Sequence, residues 1–130
     1  MMRSPGLEAL LESPYIRFDS TAVSLVAKDL EKADKFLKEM PGKKDALEQT
    51  NTAYLAMYCA AQALMHSIGY KATNFRCIVT VFEDYFIPKG MVERKFLDFL
   101  LRGQKIEGTP QENFEAAEYC VAAAKKALGK

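Results

Sequence analysis

Apolar residues fall three and four apart over most of the chain, the spacing of one-sided helices. Between Ser20 and Met40 the positions Val23, Val26, Leu30, Ala33, Leu37 and Met40 make one such stripe, with Lys28, Asp29, Lys32, Lys35 and Glu39 opposite. Acid-before-base spacing adds two helical pairs, Glu31 with Lys35 and Asp34 with Lys38, each contributing about 0.2–0.5 kcal/mol. Asp19 or Ser20 can cap this helix, and Pro41-Gly42 ends it. The second predicted helix, about Lys44 to Ser67, differs in kind. Its middle, Ala53 to Ala61, is apolar nearly all round, which predicts a helix surrounded by others. Ala53, Ala56, Ala60 and Ala63 give it a small-residue stripe where a neighbouring backbone can approach, and Gly69 suits the left-handed residue after its end.

A short loop with Lys71 and Asn74 leads to a third helix over Phe75 to Phe86, although Val79-Thr80-Val81 would also suit a strand. Met91 to Ile106 reads as a fourth, with Val92, Phe96, Phe99 and Leu100 inward, and Gly108 breaks it. Thr109-Pro110-Gln111-Glu112 is a strong start signal: a capping Thr, Pro at the first helical position, and Glu three residues on. Phe114, Ala117, Val121, Ala124 and Leu128 continue that last stripe. Near the N-terminus, Leu7, Leu10 and Leu11 predict one more short helix within an extension over residues 1–19. The expected architecture is all-α: a single domain over residues 1–130, folded as an up-and-down bundle of five to six helices.

Composition narrows the class. At 49% hydrophobic, a chain of 130 residues has too much apolar surface to stay solvated and disordered. Eighteen basic residues against 17 acidic ones leave a net charge of +1, which argues against a protein held to polyanions by bulk charge alone. The longest apolar run, Ala53 to Ala61, is too short to cross a bilayer. Met-Met-Arg-Ser-Pro followed by Glu8 and Glu12 contains no signal-peptide core, and Cys59, Cys77 and Cys120 are odd in number and scattered. Both features predict a cytoplasmic protein in a reducing compartment.

The chemistry available is sparse. There is no Gly-rich phosphate loop, no GxSxG elbow and no CxxC pair, and a single histidine excludes any two-histidine zinc motif. No metal or cofactor is expected. His66, near the end of the central helix, is either a satisfied structural histidine or a general base. Tyr54 and Tyr58, one turn apart, are bundle wall or stacking partners for a base. Among the cations Lys71, Arg76, Arg94, Lys95, Arg102 and Lys105, the arginines at 76 and 102 border apolar stripes, where a guanidinium needs an anionic partner. Eight Phe and 6 Tyr are a surplus for so small a bundle and predict an apolar surface patch, hence an interface.

The run Ala53-Tyr-Leu-Ala-Met-Tyr-Cys-Ala-Ala-Gln-Ala-Leu-Met65, then Ser67-Ile-Gly-Tyr-Lys71 and Asn74-Phe-Arg-Cys-Ile-Val-Thr-Val-Phe82, resembles the HEPN family. Many members carry an AYYAMFHAARALL-like helix, a loop, and a later helix ending in Leu-Arg; Leu100-Leu-Arg102 matches that end. The resemblance implies a helical bundle, homodimeric, often encoded beside a minimal nucleotidyltransferase, with a nucleotide-binding role. Many members are metal-independent ribonucleases of toxin–antitoxin pairs, carrying Arg followed four to six residues later by His. Arg102 takes the arginine position, but Gly103 to Gly108 holds no histidine, and Cys59 and Gln62 stand where the family often has His and a basic residue. The resemblance therefore implies a non-catalytic module that binds a nucleotide, an RNA or a nucleotidyltransferase. Arg76 and Arg102 would meet phosphate, Tyr54 would line the pocket, and Lys71 would join them in binding the ligand. The alternatives are a metal-independent endoribonuclease using Arg102 and His66, or a dimerisation scaffold without ligand.

Overall fold

The computed structural model describes residues 16–130, so the helix expected around Leu7, Leu10 and Leu11 lies outside the described residues. The fold is an all-α, up-and-down bundle. Its helices are α1 (Val26–Glu39), α2 (Ala46–Ser67), α3 (Phe75–Val81), α4 (Arg94–Gln104) and α5 (Pro110–Ala127). At its centre lies α2, packed against α1, α5 and α4. Ala53, Ala56, Met57, Ala60, Ala61, Ala63, Leu64 and Met65 are fully buried, as the all-round apolar pattern requires. Asp45 caps this helix, its Oδ1 accepting from the Glu48 amide at 2.8 Å. Gly69 follows at φ +85°, the left-handed conformation that glycine adopts without steric cost. No helix among the described residues is long and apolar enough to cross a membrane.

Close approach of α4 to α2 depends on Gly103. A Cβ there would stand 2.7 Å from Met57 Cε and 3.1 Å from Tyr54 Cδ1. The gain in helix propensity from Gly103→Ala, about 1 kcal/mol, is opposed by overpacking of about 1–3 kcal/mol. We expect a net loss of about 1 kcal/mol, read by chemical denaturation; a stabilised variant would show that the packing there yields freely.

The pattern misses three features. The helix expected from Ser20 begins as a 3-10 turn over Ser20–Leu25, and regular α geometry starts at Val26. Hydroxyl side chains compete for the backbone here: Asp19 Oδ1 accepts from the Thr21 amide at 2.9 Å and from its Oγ1 at 2.6 Å, and Ser24 Oγ donates to the Thr21 carbonyl at 2.7 Å. The third segment is helical, not a strand, but widens into a π-turn over Phe82–Phe86, closed by the Ile87 amide donating to the Phe82 carbonyl at 2.9 Å. Finally, β1 (Ile16–Phe18) and β2 (Tyr70–Ala72) pair antiparallel, Ile16 with Ala72 and Phe18 with Tyr70. Three-residue strands leave no periodicity to read, and their pairing joins segments that are remote in sequence.

Helix-surface pairing also departs from expectation. Asp34 turns away from Lys38 and binds Lys125 of α5 through both oxygens, at 2.7 and 2.8 Å. Neither Glu31–Lys35 nor Asp34–Lys38 forms. The last helix behaves as read: Thr109 Oγ1 accepts from the Glu112 amide at 3.1 Å, and Glu112 Oε1 accepts from the Thr109 amide at 2.9 Å.

Candidate functional site

A groove of about 480 Å³ opens where the small sheet meets α1 and α2. The register that sets Arg17 opposite Lys71 delivers both side chains to its rim. From α1 come Asp29 and Lys32, neighbours on one side of the helix; from α2 come Tyr58, Gln62 and His66, spaced by four and so stacked along one face. Cys59 completes the α2 side.

Asp29 and His66 form the floor. His66 Nδ1 lies 2.5 Å from Asp29 Oδ2, and their side chains are only 12% and 13% exposed. An ionised carboxylate can only accept, so Nδ1–H is the donor. This bond sets the ring orientation and leaves Nε2 as the nitrogen turned away from Asp29. No hydrogen bond reaches Nε2 among the described residues. The pair has the form of a general base with its orienting acid, and equally of a binding imidazole held in one rotamer.

Around this floor stand cations and one adaptable amide. Lys71 Nζ lies 3.2 Å from Asp19 Oδ2. The Asp19 carboxyl is held at about 2, chiefly by its bonds from Thr21 and further by Lys71. Lys32 is exposed and makes no ion pair within the described residues. Gln62 Nε2 donates to Tyr58 Oη at 3.0 Å, while its Oε1 is buried without a partner. Burial, and then the charge of Asp29, push the Cys59 thiol up, with Lys32 opposing. A protonated thiol is a poor nucleophile, so Cys59 is wall rather than reagent.

The sequence-predicted residues separate. His66 and Lys71 meet in the groove. Tyr54 does not line it; its ring packs between Tyr58 and Phe75, centroids 6.0 and 6.4 Å away, and burial pushes its hydroxyl up to about 12. Arg76 is exposed on the first turn of α3, where Asn74 Oδ1 caps its amide at 2.7 Å. Arg102 lines a separate, smaller hollow of about 270 Å³ with Lys95, Glu112 and Tyr119. Its Nη2 donates to the Glu112 carbonyl at 3.2 Å, and its guanidinium stands 5.1 Å from the Phe99 ring centre. Arg102 thus ties α4 to the start of α5.

Sequence reasoning missed Asp29, Lys32, Arg17 and Gln62. A signal existed for the first of these: Val26, Asp29 and Ala33 share three-and-four spacing, so the helical wheel turns Asp29 toward the buried stripe. Among the described residues no three His, Cys, Asp or Glu side chains gather as a metal site. No family model, curated protein or solved structure matches the chain.

Proposed function

We propose that the protein is a HEPN-type module that binds a nucleotide or RNA through its phosphate in the groove above Asp29 and His66. The observation that carries this reading is the fixed His66 imidazole with three cations, Arg17, Lys32 and Lys71, on the same groove. Asp29 offsets part of that charge, so recognition needs a directed anion rather than bulk attraction. The Tyr58 ring offers a stacking face, and Gln62 an amide that can re-pair with a base edge. The sequence resemblance supports a homodimer working beside a minimal nucleotidyltransferase in the cytoplasm, as in a toxin–antitoxin pair. Exposed Phe18, Val23, Leu47 and Ile106 offer apolar surface for such contacts.

A second reading draws on the same pair. Asp29 holding His66 Nδ1 is what metal-independent phosphodiester cleavage asks of a base, with Lys71 or Lys32 beside the developing charge. Arg102, in its own hollow, takes no part in that version.

Titration with a nucleoside monophosphate separates these readings. Wild type should melt higher with ligand, by the equivalent of about 2.7 kcal/mol at a hundredfold excess over Kd. His66→Ala and Lys71→Ala should each weaken binding about tenfold or more, the worth of one charge-assisted hydrogen bond, and Arg102→Ala should leave it unchanged. Sensitivity to Arg102→Ala with indifference to His66→Ala would move the site to the α4–α5 hollow. RNA cleavage in the presence of a chelator, abolished by His66→Ala, would establish the enzymatic version.

A further inference from the structure

His66 is the single histidine of the chain, and imidazole is the side chain whose ordinary change of charge falls near neutrality. Charged and titratable groups reach its groove from each element that lines it. Asp29 and Lys32 come from α1, and Arg17 and Lys71 from the sheet, with Asp19 beside Lys71. Tyr58 and Cys59 come from its own helix, while the 3-10 turn brings no charged side chain. Two of these neighbours are held away from neutrality: the Asp19 carboxyl at about 2, chiefly by its bonds from Thr21, and the Cys59 thiol pushed up by burial. Asp29 occupies Nδ1, and no hydrogen bond reaches Nε2 among the described residues. With the side chain only 12% exposed, water screens little of what arrives at that nitrogen.

We infer that the groove takes its anion together with a proton, carried on His66 Nε2, so that its affinity for the anion rises as pH falls. This rests on the groove reading above and adds the regulation of that site. A neutral imidazole that donates Nδ1–H to Asp29 has only a lone pair at Nε2, and a lone pair repels a phosphate oxygen. The imidazolium donates from both nitrogens, one to Asp29 and one to the ligand. An anion at Nε2 therefore binds the protonated ring more tightly than the neutral one. By linkage, the occupied groove holds that proton more tightly than the empty one. Affinity is then complete at low pH and is lost as pH rises through the imidazole range. Arg17, Lys32 and Lys71 remain on the groove to attract the anion when the ring is neutral, so the proton tunes binding without being its sole source. A general base would do the reverse, since its Nε2 must be free of the proton in the complex.

Two measurements on the untagged chain test this. The probe is the methyl ester of a nucleoside monophosphate, which keeps one charge where a free phosphate would itself titrate at about pH 6. The first measurement follows the single imidazole signal by NMR from about pH 5 to about pH 9, with and without saturating ester. Its midpoint should rise by about one unit on binding, the tenfold worth of one charge-assisted hydrogen bond. The second measures affinity by calorimetry across the same range. It should fall about tenfold from low to high pH, because the midpoint shift and the affinity change are one free energy. His66→Gln, which offers an amide N–H but does not titrate, should bind with an affinity flat in pH. A midpoint that stays or falls, or a wild-type affinity flat in pH, would overturn the inference and leave the groove as an anion site. A tenfold fall that persists in His66→Gln would place the proton on another group and overturn it as well. Should His66→Gln fail to fold, the wild-type midpoint decides alone. An ester that does not bind where the free monophosphate does would also overturn it, since one charge suffices for the pair. Binding of neither would end both readings.

Discussion

Replacing Phe82 with alanine will destabilise the protein by about 3–5 kcal/mol, the range for emptying a large aromatic from a packed core. Phe82 is fully buried, with the rings of Phe86 and Phe96 each 5.1 Å away, centroid to centroid. It begins the π-turn, within which Phe82 and Phe86 are both buried. The loss should therefore exceed that for a peripheral ring such as Phe99, which is only partly buried against Tyr119 and Lys95. Urea denaturation with an unchanged slope will measure it. A loss under about 1 kcal/mol would mean that the core closes over the gap.

That aromatic cluster shows what the hydrophobic pattern can and cannot convey. Ile78, Val81, Phe82 and Tyr85 read as one helical face, and three of them are buried, because local periodicity reports which side of a helix meets the core. The π-turn leaves no such mark in the periodicity, and the rings of Phe82, Phe86 and Phe96 that meet there come from two elements. The same division holds at the candidate site. His66 and Lys71 were visible as chemistry-bearing residues beside a loop. Their meeting was not, since it requires β1 to pair with β2 and α1 to bring Asp29 across 37 residues of sequence. Arg102 illustrates the converse. It borders an apolar stripe, as an anion-binding arginine would, yet a backbone carbonyl takes its Nη2 and an aromatic face its plane, leaving the buried Nε without a partner among the described residues. Spacing identifies a cation next to apolar surface; only the tertiary packing says whether protein or ligand answers it.

Removal of the Asp29 carboxylate will have the second-largest effect, a loss of about 2–3 kcal/mol in Asp29→Ala. Leaving a buried donor without its acceptor costs about 1–3 kcal/mol, more beside a charged group, and these side chains are only 12% and 13% exposed. The cost is in what remains. His66 loses the acceptor of its Nδ1–H in a site with little water access, and the ring orientation becomes free. Asp29→Asn keeps an acceptor oxygen and the volume, so it should cost less, about 1 kcal/mol, the net worth of a typical hydrogen bond. If the pair acts as a unit, the double variant Asp29→Ala with His66→Ala will be more stable than the sum of the single losses predicts, by at least about 1 kcal/mol of coupling. Additive losses would show that Asp29 and His66 contribute separately and that the short hydrogen bond orients nothing. Ligand affinity gives the complementary reading. Asp29→Asn should bind a nucleoside monophosphate almost as well as wild type, because the imidazole stays in place, whereas Asp29→Ala should lose about as much as His66→Ala. A carboxylate that merely repelled the phosphate would do the opposite, and both substitutions would then tighten binding.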